Sequence, residues 1–345
     1  MNVFAPWQQR VYEQAAAALE AGRLGHGLLL CGPQKLGKRA VAERLAQRLL
    51  CTERLGDGEP CGKCRSCRLF ASRTQTDPPE LRPDGSLAHP LGRSGHPDLL
   101  FIGYEWNEKA RPPRLRTELV IEQVRGVSEE MALTPQFGGA KIAIIDPADA
   151  INHAAGNALL KTLEEPVPGR YLWLVSSQPA RLSATIRSRC QRLEFRLPPR
   201  EEALAWLVAQ GHAEPAAAEA LAAARGHPGL AHEWLQAGGL ALRRAVGDDL
   251  GRLARGDANA TDIAQSWIGD DHAALRLSHA ADLALSEASR LTDPARTRSL
   301  AAWFDKANRV RDLLRTTIRA DLAVAELLMG WRAANAAPGK GGRKE

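Results

Sequence analysis

Apolar positions in the first 200 residues follow two periods. Short, mainly apolar runs at Gly27–Cys31, 98–102, Lys141–Ile145 and 171–176 predict strands, and 191–195 reads as a fifth. Helical spacing predicts helices between them. One runs over 38–51, and a second places Val120, Val124, Val127 and Met131 on one face. A third covers 152–165, with Ala154, Ala158, Leu159 and Leu163 facing inward and Pro166 ending it. Strand and helix in alternation predict an α/β fold, a parallel sheet flanked by helices. After Pro198 and Pro199 the chain turns to Ala, Leu and Arg at helical spacing with no convincing strand. The expected division is therefore an α/β domain over 1–197, a small helical domain over 198–240, a larger helical domain over 241–336 and a disordered tail over 337–345. Trp267, Trp303 and Trp331 are expected in the core of the larger helical domain. Residues 71–97 and 105–116, rich in Pro and Arg, read as insertions, the first as a mobile surface loop.

At 345 residues the chain is too long for one core, which agrees with several domains. A hydrophobic share of 44% excludes a disordered chain, and no apolar stretch reaches the length of a membrane span. Residues 1–7 lack a basic region followed by an apolar run, so a cytoplasmic protein without membrane partners is expected. The net charge of +6 fits contact with an anion such as DNA or nucleotide, but arginines spread over amphipathic helices give the same sum.

Gly32-Pro33-Gln34-Lys35-Leu36-Gly37-Lys38-Arg39 follows a strand and opens a helix, the setting of a G-x-x-x-x-G-K-[ST] phosphate loop. Gly32, Gly37 and Lys38 are the candidate phosphate contacts. The final position, which should give a hydroxyl to Mg²⁺, holds Arg39, a cation with no lone pair for a metal. The strand 141–145 ends in Asp146, where such loops place an acidic metal partner, but Pro147 follows it and can orient no water. Asp149 lies farther along. Metal-assisted hydrolysis is expected to fail, with residual nucleotide binding left open.

Four of the six cysteines, Cys51, Cys61, Cys64 and Cys67, fall within one short window. Two overlapping C-x-x-C spacings let thiolates converge on one tetrahedral ion, and four protein ligands leave no open position, so a structural Zn²⁺ is expected. A redox dithiol and an iron–sulfur site are less favoured alternatives. Cys31 and Cys190 read as packed thiols.

The run Asn157-Ala158-Leu159-Leu160-Lys161-Thr162-Leu163-Glu164-Glu165-Pro166, followed by Ser188-Arg189-Cys190, resembles the clamp-loader subunits of the AAA+ family. These are subunits of bacterial DNA polymerase III and the related replication factor C subunits. The order of features is similar over nearly the whole chain apart from the two insertions. The resemblance implies an AAA+ P-loop domain, a helical lid and a helical collar. It implies that Arg189 is an arginine finger acting on ATP held by a neighbouring subunit. It also implies gamma/tau and delta subunits as partners, with the sliding clamp and primed DNA reached through the complex. Ser177 falls where ATPase members carry a polar sensor. Gly229, in Arg225-Gly226-His227-Pro228-Gly229, falls where they carry a sensor arginine. Three defects and an intact finger imply a subunit without catalysis of its own within a nucleotidyltransferase complex. The alternatives are an ATP-hydrolysing gamma/tau-type subunit, a P-loop kinase and a zinc-dependent DNA-binding adaptor.

Overall fold

In the computed structural model the described residues are 4–82, 87–89, 92–137, 139–314 and 318–335. The tail expected at 337–345 lies outside them. The chain forms two compact units, Met1–Gly211 with Ala224–Leu230, and His212–Ala223 with Ala231–Glu345.

The first unit contains α1 (Pro6–Glu20), β1 (Gly27–Cys31), α2 (Lys38–Leu50), α3 (Arg65–Ala71), β2 (Arg73–Thr74), β3 (Arg93–Ser94) and β4 (Leu99–Ile102). It continues through β5 (Trp106–Asn107), β6 (Arg114–Leu115), α4 (Ile121–Ala132), β7 (Lys141–Ile145), α5 (His153–Glu164), β8 (Arg170–Ser176), α6 (Ala184–Arg189), β9 (Gln191–Glu194) and α7 (Arg200–Ala209). Five strands form one sheet in the order β4-β7-β8-β1-β9, every pair parallel.

β1 and β7 are buried along their whole length, as a parallel sheet covered on both faces requires. Alternate residues serve opposite faces. Leu28, Leu30, Ile142, Ile144, Trp173 and Val175 join Trp7, Val41 and Leu45 in one core. Leu29, Ala143, Ile145, Leu172 and Leu174 join Val124, Leu159, Leu163 and Ile186 in the other. The carboxyl ends of β1, β7 and β8 carry Gly32, Asp146 and Ser177 to one edge, with β1 between β8 and β9. This is the strand order and loop placement of an AAA+ P-loop fold, with the site at the carboxyl edge of the sheet.

Two local expectations change. Ala154 is exposed and its neighbour Ala155 is buried, so the inward face of α5 is set by Ala155, Leu159 and Leu163. The described residues of 71–97 are not a free surface loop. β2 and β3 pair to close the stretch, and Glu80, Ala88, His89 and His96 within it are buried. Its low apolar content hid this because Glu80, His89 and His96 are polar groups held by ion pairs and hydrogen bonds, which leave no apolar pattern.

The second unit holds α8 (Glu214–Ala223), most of α9 (Pro228–Gln236), α10 (Gly239–Arg255), α11 (Ala260–Ile268), α12 (Ala273–Ala288), α13 (Pro294–Leu313) and α14 (Ala320–Asn335). Its core includes Trp267, Trp303 and Trp331, as their spacing predicts. Trp303 and Trp331 meet edge to face at 4.7 Å, and their indole N–H groups donate to Leu327 O and Leu250 O. No helix among the described residues is long and apolar enough to cross a membrane.

Candidate phosphate-loop site and cysteine cluster

The phosphate loop leaves β1 at Gly32 and enters α2 at Gly37, both with positive φ. A side chain at Gly32 would strike backbone, and one at Gly37 would have to displace the Gln8 side chain. A Cβ on Gly32 would lie 2.1 Å from Phe195 O, and one on Gly37 would lie 2.0 Å from Gln8 Nε2. Trp7 and Gln8 of α1 both donate to Leu36 O at 3.1 Å, so the loop is held from the outside by the first helix.

Lys38 does not extend from the loop. Its Nζ is buried and donates to Gly32 O at 2.8 Å and to Pro33 O at 2.5 Å. Burial pulls its pKa down to about 8, with Asp146 and Asp149 opposing. Gly229 packs onto the same loop. A Cβ there would sit 2.1 Å from Lys35 O, so no arginine fits at this position. Next to it, burial lowers the pKa of His227, against a hydrogen bond with the Gln34 backbone.

Arg39, at the position that normally offers a hydroxyl, is the centre of a buried polar cluster. Its Nε donates to Glu43 at 2.8 Å, its Nη2 to His89 Nδ1 at 2.8 Å and its Nη1 to Ala88 O. Its guanidinium also lies 3.8 Å from the centroid of the Phe101 ring. Arginine can only donate, so His89 Nδ1 accepts and Nε2 carries the proton, 3.1 Å from Glu80 Oε2. Arg73 and Arg93 complete the cluster on Glu43 and Glu80.

Asp146 at the end of β7 faces this cluster. Arg82 Nη2 donates to its Oδ2 at 2.9 Å, and Arg39 Nη1 is 3.8 Å from the same oxygen. Two guanidinium charges thus lie on the carboxylate that a divalent cation would need. Asp149 is also engaged, accepting from Ser176 Oγ at 2.5 Å and from the backbone N–H groups of Ser177 and Gln178. Both of its oxygens are thus taken up in fixing the turn after β8.

Arg189 ends α6 and is exposed. Its Nη2 pairs with Glu164 at 2.7 Å and its Nη1 donates to Thr185 O at 3.1 Å. Its backbone lies beside Gly27, at the opposite end of β1 from Gly32. The strand alone separates these ends by about 13 Å. The structure therefore brings Gly32, Gly37, Lys38 and Asp146 together and keeps Arg189 apart from them.

The four clustered cysteines converge. Their sulfurs all lie within 4.8 Å of one another, with Cys51 Sγ 3.7 Å from that of Cys61 and 3.9 Å from that of Cys64. Four thiolates at about 2.3 Å from one tetrahedral ion are about 3.8 Å apart, close to these separations, so the four sulfurs could hold one metal ion. Backbone N–H groups of Cys61, Cys64 and Cys67 point at the sulfurs of Cys51, Cys61 and Cys64. Burial raises Cys51 and Cys67, whereas in Cys64 burial is outweighed by hydrogen bonds from Thr52 and Cys67, which bring it to about 6. Cys51 caps the far end of α2, about 20 Å of helix away from the phosphate loop, so an ion here takes no part in chemistry at that loop. Ser66 bonds to Leu50 O and His96 and fastens the cluster to both α2 and the insertion. Cys31 and Cys190 are buried.

Nothing in the local pattern of residues points to Arg82, Glu80 or His89 as partners of the phosphate loop. The available signal was an arginine at position 39 together with an insertion that carries Arg73, Glu80, Arg82 and Arg93.

A family profile described as DNA polymerase III, delta subunit, matches residues 7–199. The DNA polymerase III subunit delta' of Pseudomonas aeruginosa is 36% identical over 265 residues, covering 76% of this chain and 70% of that protein. The subunit delta' of Haemophilus influenzae is 32% identical over 245 residues, covering 71% of this chain and 65% of that one. Among solved structures, a DNA polymerase III, gamma subunit-related protein from Thermotoga maritima aligns with 94% of this chain and 99% of its own at 15% identity and a TM-score of 0.48. The family profile and the two delta' relatives agree, and the chain belongs to the DNA polymerase III delta' (delta-prime) family.

Proposed function

We propose that this chain is the delta' subunit of a DNA polymerase III clamp loader, an AAA+ subunit that does not hydrolyse ATP and lends Arg189 to the ATP site of an adjacent gamma/tau subunit. The observation that carries the first half is the cluster on Asp146. Mg²⁺ bound there would have to displace Arg82 and Arg39 from a nearly buried carboxylate, and Arg39 offers it no hydroxyl. Lys38 is spent on the carbonyls of its own loop, Pro147 supplies no base, and Gly229 supplies no sensor arginine.

The second half rests on the separation of Arg189 from that loop. A side chain at the opposite end of β1 cannot reach its own phosphate site, and its exposed planar fork suits a phosphoryl group brought by another chain. In this reading ATP is held by the gamma/tau neighbour, delta completes the loader, and the sliding clamp and primed DNA are engaged through the complex. The division at 197 and 240 would separate the AAA+ module, a lid and an oligomerising collar in a cytoplasmic assembly. Zn²⁺ in the cysteine cluster would be structural, joining α2 to α3.

Three outcomes are expected. In a loader assembled with gamma/tau and delta, Arg189→Ala leaves the complex intact but costs about 10³-fold in hydrolysis at the neighbour's site and slows clamp loading. Unchanged DNA-stimulated turnover contradicts the finger. Elemental analysis of chain purified without added metal gives one zinc per chain, falling with Cys64→Ser, whereas a stable metal-free or iron-bearing chain contradicts the zinc reading.

The third concerns Lys38, whose pKa falls from 10.5 unfolded to about 8 folded. Between those values the unfolded chain binds more protons, so stability rises as pH increases through the window. Compared with Lys38→Met, the wild type should gain about 2 kcal/mol of relative stability from pH 8 to 10.5. A pH-independent difference in denaturation free energy contradicts the burial of a charged lysine.

A further inference from the structure

We infer that Glu164 is a positioning residue for Arg189, an inference that rests on the finger reading above. The two side chains come from the last residues of two helices, α5 and α6, whose carboxyl ends meet at the start of β1. That meeting is tight. A Cβ on Gly27 would lie 2.9 Å from Leu163 Cδ2, 3.2 Å from Arg189 O and 3.6 Å from Cys190 Sγ. His26 Nε2 is 3.0 Å from Leu163 O, which ties the same corner to the end of α5. Leu163, next to Glu164, and the Arg189 carbonyl thus pack closely on the same residue, where a larger side chain would push both aside.

On this close-packed corner the guanidinium is held from two sides, by the Glu164 carboxylate at 2.7 Å and by Thr185 O at 3.1 Å. An exposed arginine ordinarily samples many rotamers, and fixing one of them is part of the cost of engaging a ligand. The two contacts commit two of its donors and leave the others of the fork for an incoming phosphoryl oxygen. A carboxylate on the final residue of a helix is unfavourable against the helix dipole, and Lys161 is the other cation in that last turn. Glu164 is thus placed where it does little for α5 and where Arg189 is its ion-pair partner. With the pair 35% and 47% exposed, its contribution to fold stability is small and its effect is on the orientation of the fork.

The test uses the loader assembled with gamma/tau and delta, and DNA-stimulated ATP turnover. Glu164→Gln is expected to lower kcat about threefold, with KM for ATP and the melting temperature of the chain unchanged, and Glu164→Asp to restore part of the loss. In the Arg189→Ala background Glu164→Gln should have no further effect. If Arg189→Ala slows turnover and Glu164→Gln does not, Glu164 has no positioning role and the finger stands. If Glu164→Gln slows turnover equally with and without Arg189, it acts by another route and the inference falls. If Arg189→Ala itself has no effect, the finger reading fails and this one with it.

Discussion

The carboxylate of Asp146 is nearly buried at the end of a central strand and must be neutralised by something. In this chain the charge comes from Arg82 and Arg39, at 2.9 and 3.8 Å. Two monovalent guanidiniums stand in charge for one divalent cation, but they do not exchange with solvent and cannot coordinate a phosphate oxygen and a water at once. Arg82 belongs to the segment between α3 and β4, so the same contact that neutralises Asp146 anchors that segment on the sheet. Glu80, His89 and Glu43 then follow, because the arginines need acceptors once water is excluded. Arg39 in the phosphate loop and Arg82 in the insertion thus answer the same buried charge.

The parallel sheet gives the first unit two ends of different character. At the carboxyl ends of the strands are Gly32, Lys38, Asp146 and the turn held by Asp149, turned inward onto their own protein. At the amino end of β1 are Gly27, Glu164 and Arg189, with the guanidinium exposed. A P-loop module with one end closed by its own side chains and a cation presented at the other is suited to work as one member of an assembly.

Most of the scaffold was legible because its signals are local. Mainly apolar runs such as 27–31 and 141–145 read as parallel strands, Pro166 marked the end of α5, and the spacing of Cys61, Cys64 and Cys67 brought three sulfurs to one point around a turn, with Cys51 joining from the end of α2. The shift by one residue on α5, from Ala154 to Ala155, arose because consecutive alanines carry no signal of which one faces the core. The ordering of 71–97 was not legible for a stronger reason. It depends on ion pairs such as Arg82 with Asp146 and Arg73 with Glu43, whose partners lie far apart in sequence and leave no periodicity. Arg39 could be read as a lost hydroxyl, but not as the hub of a network.

The central claim is that arginine has taken the place of metal at Asp146. Calorimetric titration of the isolated chain with ATP, in the presence and absence of Mg²⁺, tests it most directly. The account predicts that Mg²⁺ adds nothing to whatever nucleotide affinity the loop retains. Mg²⁺-dependent tightening that disappears in Asp146→Asn would contradict it.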